Sequence, residues 1–291
     1  MKVLNFGSLN LDYVYQLDHF VQPGETLSAL SQAVNPGGKG LNQSIALAKA
    51  GAEVYHAGCI GQGGESLLSL LKENGVRTGH IERVPQLQGN AMIQVNREGQ
   101  NCILLFGGSN QSITKEQVDE TLADFEEGDY LVLQNEVNLL PYIVEKASER
   151  GMKIILNPSP YDEKLLDVDL SRLSWLFVNE VEASQLSGSE DPDEAWAQLH
   201  EKYPDINLLV TLGKEGSKAF TGTETVFQEA LPVNAVDTTA AGDTYTGYFI
   251  AGLIAGLTLK ECMARASKAS SISVTRHGAA ASIPEKEEID Y

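Results

Sequence analysis

A doubly wound α/β fold with a mostly parallel sheet flanked by helices, carrying a small additional β-sheet, is what this chain predicts, and three observations predict it. Short β-rich apolar runs alternate with amphipathic helical patterns for most of the length. Gly51, Gly75 and Gly151 each close a helical pattern just before the next strand, the place of a C-cap glycine. Two stretches, about 11 to 35 and 88 to 107, break the alternation with β-rich pairs around the turn signals Pro23-Gly24 and Glu98-Gly99 and no helix between them.

In order, "KVLNF" reads as strand, "LNQSIALAKA" as helix, "VYHAGCI" as strand and "ESLLSLLKENG" as helix, which is the grammar of parallel βαβ units. "YLVLQ", the helix "LLPYIVEKASERG", "KIILN", "WLFVN", the helix "EDPDEAWAQLHEKY" and "NLLVTL" continue it. The two interruptions read as insertions that build one small sheet standing off the main domain as a lid, within a single α/β domain of residues 1–291. Extra hairpins on the edge of the main sheet fit the same pattern.

With 291 residues and 42% hydrophobic content the chain can bury a large core. Lys and Arg number 21 against 40 Asp and Glu, and the net charge of −19 argues against a sequence-independent grip on nucleic acid or an anionic membrane. An anionic ligand must then be held by backbone amides, helix N-termini and a few bases. No secretory signal pattern and no run of eighteen apolar residues occurs, so a cytoplasmic protein is expected. Cys59, Cys102 and Cys262 have no metal-like spacing and read as packed, reduced thiols.

Four segments carry candidate chemistry. In "NPGGKGLNQS", Gly37, Gly38 and Gly40 permit close ligand approach, Lys39 adds a cation, and a helix N-terminus follows with Asn42 in its first turn. It is not a Walker A loop, because Ala33 stands where the first Gly is needed and Gly40 follows Lys39. "CIGQGGES" fails the GxGxxG pattern, which weakens a nicotinamide dehydrogenase, and reads as a tight strand-to-helix turn. In "FVNEVEASQL", Asn179 and Glu182 suit one Mg²⁺ site, directly or through water, but on the residues alone suit better an N-cap with its capping-box partner. "TLGKEGS", ending a buried strand, fits a nucleotide turn or a hairpin.

"VDTTAAGDTYTGYF" is the most informative. Tyr245, Tyr248, Phe249, Gly252 and Leu253 fall at helical spacing, which predicts one buried face. Asp243 in the first turn is favoured by the helix dipole. The dipole does not explain why Ala240, Ala241 and Gly242 before it all lack bulk; bare first-turn amides suit an anion such as a transferred phosphoryl group. A carboxylate beside them can accept the proton of an attacking hydroxyl.

Through "GSLNLD", "PGET", "GGKGLNQ", "NEVE", "TLGKEG", "DTTAAGDTYTG" and "VTRHGAAASIP", in that order and end to end, the chain resembles the ribokinase-like (PfkB) family of carbohydrate kinases. The resemblance implies ATP-dependent phosphorylation of a sugar's primary hydroxyl, O5 of D-ribose first, with deoxyribose, fructose, another sugar or a nucleoside as rivals within the family and a non-catalytic sugar binder outside it. It implies that Asn10, Asp12, Gly38, Lys39, Asn42 and Glu136 bind the sugar and that Asp243 is the base beside an anion hole at Ala240, Ala241 and Gly242. Asn179, Thr211, Gly213, Gly216, Gly242 and Ser267 would meet the nucleotide, and Glu182 would organise Mg²⁺ through water. Asp237, Thr239, Ser273, Arg276, Gly278 and Ser282 would hold an activating K⁺, several through carbonyls, and a homodimer would form through the lid sheet. Three positions depart from the family pattern: "GQGGES" lacks its Asp, Ser267 replaces an Asn or His near adenine, and Ala240 stands where many members have Gly.

Overall fold

The computed structural model describes residues 1–289. Its strands are β1 Val3–Phe6, β2 Asn10–Gln16, β3 Ser31–Gly37, β4 Val54–Gln62, β5 Arg77–Leu87, β6 Asn90–Val95, β7 Asn101–Phe106, β8 Tyr130–Gln134, β9 Lys153–Asn157, β10 Trp175–Asn179, β11 Asn207–Thr211, β12 Gly216–Phe220 and β13 Thr225–Glu229. Its α-helices are α1 Lys39–Lys49, α2 Glu65–Glu73, α3 Lys115–Leu122, α4 Leu140–Glu149, α5 Glu180–Ser187, α6 Pro192–Lys202, α7 Ala241–Ile254, α8 Leu259–Ser273 and α9 Lys286–Ile289.

Nine strands form one sheet in the order β13-β12-β11-β10-β9-β8-β1-β4-β5. It is parallel from β5 through β11 and closes with the antiparallel pairs β11–β12 and β12–β13. The central strands are buried along their length because helices cover both faces, and alternate residues feed two cores. Leu4, Phe6, Leu131, Leu133, Leu176 and Leu208 pack on one side with α3, α4 and α6. Val3, Val132, Ile155, Phe177 and Leu209 pack on the other with α1, α7 and α8. Edge strand β5 and helices α3 and α8 are elements that the pattern reading passed over.

The two interrupted stretches supply β2, β3, β6 and β7, which form a separate four-stranded sheet in the order β3-β2-β6-β7. β2 and β3 pair antiparallel from Asn10↔Gly37 to Gln16↔Ser31, so the strand that leaves β1 returns directly into the start of α1.

Two sequence expectations change. Helix α7 is buried almost all round rather than on one face, since Asp243 through Ile250 are all buried; it lies between α1 and α8, and a helix with neighbours on several sides carries no amphipathic stripe. Cys102 lies exposed on β7, whereas Cys59 and Cys262 are packed.

Candidate active site

The carboxyl ends of β9, β10 and β11 and the N-termini of α1, α5 and α7 converge on one cleft of about 230 Å³. Its lining includes Lys39, Asn179, Glu182, Thr211, Ala240, Ala241, Gly242 and Asp243 from the sequence reading, and adds Asn157, Ser159, Thr238 and Thr246.

Asp243 lies at the floor, 8% exposed. Asn42 Nδ2 donates to its Oδ2 at 3.0 Å and Gln43 Nε2 donates to its Oδ1 at 2.9 Å, so each carboxylate oxygen has a fixed donor from α1. Gly247, one turn further along α7, makes this approach possible: a Cβ there would stand 2.8 Å from the Ala46 carbonyl carbon and the Leu47 amide nitrogen. The partner of Gln43 is 200 positions away, which no local pattern reveals; its place beside Asn42 at a helix start and at the end of "GGKGLNQ" is the signal the sequence carries.

Ala240 caps α7 with φ 59° and no side-chain cap. The Ala241 amide donates to the Thr238 carbonyl at 3.2 Å. Among the described residues the Gly242 and Asp243 amides have no backbone acceptor, so of the expected Ala240–Gly242 stretch the Ala241 amide is engaged and the open helix donors extend on to Asp243. The arrangement can hold an anion against two amides with a carboxylate alongside.

At the opening of the small sheet, Asn10 is buried and its Oδ1 accepts from Asn110 Nδ2 at 2.7 Å. Asp12 lies over Gly37, whose missing Cβ leaves room for the carboxylate. Burial, reinforced by Glu136 and opposed by Lys39, pushes the Asp12 carboxyl up to about 6. Gly38 starts α1 at φ 94° with the Asn10 amide and Ser8 carbonyl close behind it. Glu136 accepts from Ser8 Oγ and, at 3.0 Å, from the Lys39 amide. Burial alone would lower the Lys39 ammonium, but Asp243, Glu136, Glu182 and Asp12 together raise it above its ordinary value, so it stays charged. The Oδ1 of Asn42 is buried without a partner among the described residues, which leaves an acceptor for a ligand hydroxyl.

Asn179 and Glu182 form a complete capping box: Asn179 Oδ1 accepts from the Glu182 amide at 2.8 Å and Glu182 Oε2 accepts from the Asn179 amide at 3.1 Å. The helix-start reading holds, and the same box brings both side chains to the lining of the cleft. Among the described residues no three Asp, Glu, His or Cys side chains converge as a metal cluster. The donors present are therefore one carboxylate and one amide, a hard oxygen set that fits Mg²⁺ retaining most of its water.

Thr211 lines the cleft, whereas Gly213 and Gly216 lie beyond it in the hairpin between β11 and β12. Gly216 adopts φ 122°, and a Cβ there would run into the Gln228 carbonyl, so hairpin geometry accounts for that glycine. Ser267 is buried on α8 with its Oγ 3.5 Å from the Glu229 carbonyl and is not among the cleft-lining residues.

Asp237 ties two loops together, its Oδ1 accepting from the Thr239 amide and its Oδ2 from the Gly278 amide, each at 2.9 Å. These bonds outweigh partial burial and hold its carboxyl below the ordinary range. Ser273 and Ser282 hydroxyls meet at 2.8 Å beside them. The Arg276 guanidinium pairs with the Glu288 carboxylate.

Residues 1–286 match the model of the pfkB family carbohydrate kinases. The chain is 36% identical over 301 residues to the ribokinase of Staphylococcus aureus, covering 99% of this chain and 98% of that one. It is 35% identical over 292 residues to the ribokinase of Haemophilus influenzae, covering 97% and 95%. The crystal structure of ribokinase from Cryptococcus neoformans in complex with ADP superposes with a TM-score of 0.87 at 33% identity, covering 99% of this chain and 98% of that one. With a whole-length family match and full-length relatives above a third identical, the chain belongs to the pfkB family of carbohydrate kinases.

Proposed function

We propose that the protein transfers the γ-phosphoryl group of ATP to the primary O5 hydroxyl of D-ribose. The observation that carries this reading is Asp243: a buried carboxylate, held on both oxygens by amide donors, beside two open helix amides at the floor of a cleft. In this reading Asn10, Asp12, Asn42 and Glu136 accept from or donate to sugar hydroxyls and place the primary hydroxyl against Asp243. Asp243 takes the proton as the oxygen–phosphorus bond forms, while the Gly242 and Asp243 amides and Lys39 stabilise charge on the transferring group.

Thr211, with the hairpin glycines Gly213 and Gly216 and with Ser267, lies on the side where the nucleotide enters, and Asn179 stands by the phosphates. Asn179 and Glu182 are the residues that would hold Mg²⁺, which when bound supplies positive charge to the nucleotide phosphates. Asp237, Thr239, Ser273, Arg276, Gly278 and Ser282 would surround K⁺, and the bonded pair of loops around Asp237 supports that placement. The small sheet, with residues about 11–35 and 88–107, would act as a lid and as the homodimer interface of one kinase domain working in the cytoplasm. Among the described residues no helix is long and apolar enough to cross a membrane.

A coupled ADP-release assay tests the substrate directly. Ribose is expected to give the highest kcat/KM among ribose, 2-deoxyribose, fructose and adenosine, and K⁺ is expected to raise it. A higher kcat/KM for any of the other three would overturn the assignment to ribose, and equal rates in K⁺-free buffer would overturn the K⁺ site.

A further inference from the structure

We infer that Gln43 is a positioning residue for Asp243, held in one orientation by a directional chain of buried amides running through Gln134 and Asn5. This inference rests on the reading of Asp243 as the proton acceptor.

The chain has one direction. Asp243 Oδ1 can only accept as a carboxylate, so Gln43 must present Nε2 to it, at 2.9 Å. Gln43 Oε1 is thereby turned back and accepts from Gln134 Nε2 at 2.7 Å. The same Gln134 Nε2 donates its other hydrogen to Asn5 Oδ1 at 3.0 Å. That leaves Asn5 Nδ2 to donate, to the Gly40 carbonyl at 2.8 Å and to Ser44 Oγ at 2.9 Å. A backbone carbonyl is also an acceptor only, so both ends of the chain fix the same amide orientations. Ser44 Oγ also bonds His56 Nδ1 at 2.8 Å. Burial lowers the His56 ring to about 4, so the ring at the end of the chain stays neutral.

Asn5, Gln43, Ser44, His56 and Gln134 are all 0% exposed. Gln134 Oε1 is buried without a partner among the described residues. Turning the Gln134 amide over would set oxygen against oxygen at both Gln43 and Asn5. The fold therefore leaves one acceptor unpaired and keeps the direction that delivers an N–H to Asp243. Asn42 from the same helix turn fixes the other carboxylate oxygen, so the two donors together set the plane of the carboxylate.

The test is a double-mutant cycle. Gln43→Met keeps the volume and removes the donor; Gln134→Met removes the residue that orients Gln43 without touching Asp243. Each is expected to lower kcat about tenfold to a hundredfold, the cost of a misplaced catalytic group, with KM for sugar and for ATP unchanged. In an Asp243→Asn background neither substitution is expected to lower the residual rate further. An equal loss in both backgrounds would show that the pair acts only through general folding and would overturn the inference, as would a parental kcat in both single variants. If Gln43→Met is too unstable to assay, Gln134→Met in the two backgrounds decides the matter alone. Parental turnover in Asp243→Asn itself would instead sink the proton-acceptor reading on which the inference stands.

Discussion

The floor of the cleft and the small sheet treat their side chains in opposite ways. At the floor, Asp243, Asn42, Gln43, Gln134 and Asn5 are buried and bonded to one another through helices and strands that the nine-stranded sheet locks in place. In the small sheet, all six residues of β7 and six of the seven in β3 are exposed, including Val34, Ile103, Leu104, Leu105 and Phe106. Tyr13, Val34, Met92 and Leu104 are cross-strand neighbours on the face opposite to the row of Asp12, Asn35, Ala91 and Leu105. A sheet one layer thick has no interior of its own, so its apolar residues stay exposed, which is the feature the proposed lid and dimer roles would use. Chemistry is preorganised before substrate arrives; coverage of the small sheet is not.

Several substitutions would break or sharpen this contrast. The largest effect is expected of Gly247→Ala, whose methyl group must push α7 away from the α1 backbone; overpacking of this kind costs about 1–3 kcal/mol, and kcat should fall with it because Asp243 leaves its donors. Thermal melting and steady-state kinetics together check this. Gly37→Ala acts at the boundary of the two regions, since its methyl would displace the Asp12 carboxylate. KM for sugar should rise about tenfold, the loss of one hydrogen bond to a charged group, with the melting temperature nearly unchanged.

Asp12 gives a pH signature. Its carboxyl titrates at about 6 in the folded protein against an ordinary 3.8, so the folded state binds the proton more tightly than the unfolded one. Ionised Asp12 in the ligand-free cleft therefore costs stability above pH 6, and that cost fades as pH falls toward 4. Asp12→Asn should melt higher than the parent at pH 7.5 and equal to it near pH 4, while sugar KM of the parent should rise as pH drops through 6.

On the proposal that the small sheet carries a homodimer interface, Leu104→Lys, on the face opposite Asp12, should sediment as a monomer where the parent sediments as a dimer, with the melting temperature of the protomer unchanged. The smallest effect is expected of Ala240→Gly. A non-glycine residue at φ 59° carries about 1–2 kcal/mol of strain, which glycine relieves while losing about 0.5–1 kcal/mol to chain entropy, so a slightly higher melting temperature should result.

What the sequence made legible is what repeats or clusters locally. The βαβ alternation, the two interruptions and the bare Ala-Ala-Gly before Asp243 are all short-range patterns, and they located the sheet, the small sheet and the cleft. Contacts over long separations left no such trace. Gln134 and Asn5 sit in strands that read simply as apolar, and their bonds to α1 join residues 91, 39 and 35 positions apart only in the fold. Helix α7 read as one-sided because periodicity counts only large apolar residues, whereas Thr244, Thr246 and Gly247 are buried as well. The Ala241 amide illustrates the limit: small residues announce an open helix start, but which amides stay open depends on the Thr238 carbonyl.

The central claim, that Asp243 removes the proton from a sugar hydroxyl during phosphoryl transfer, is tested most directly by the turnover of Asp243→Asn on ATP and ribose beside the parent. Loss of a general base lowers rate about 10²- to 10⁴-fold, and the account predicts a fall of that size in kcat with sugar binding retained by calorimetry. Ribose-dependent ADP release at the parental rate would contradict it.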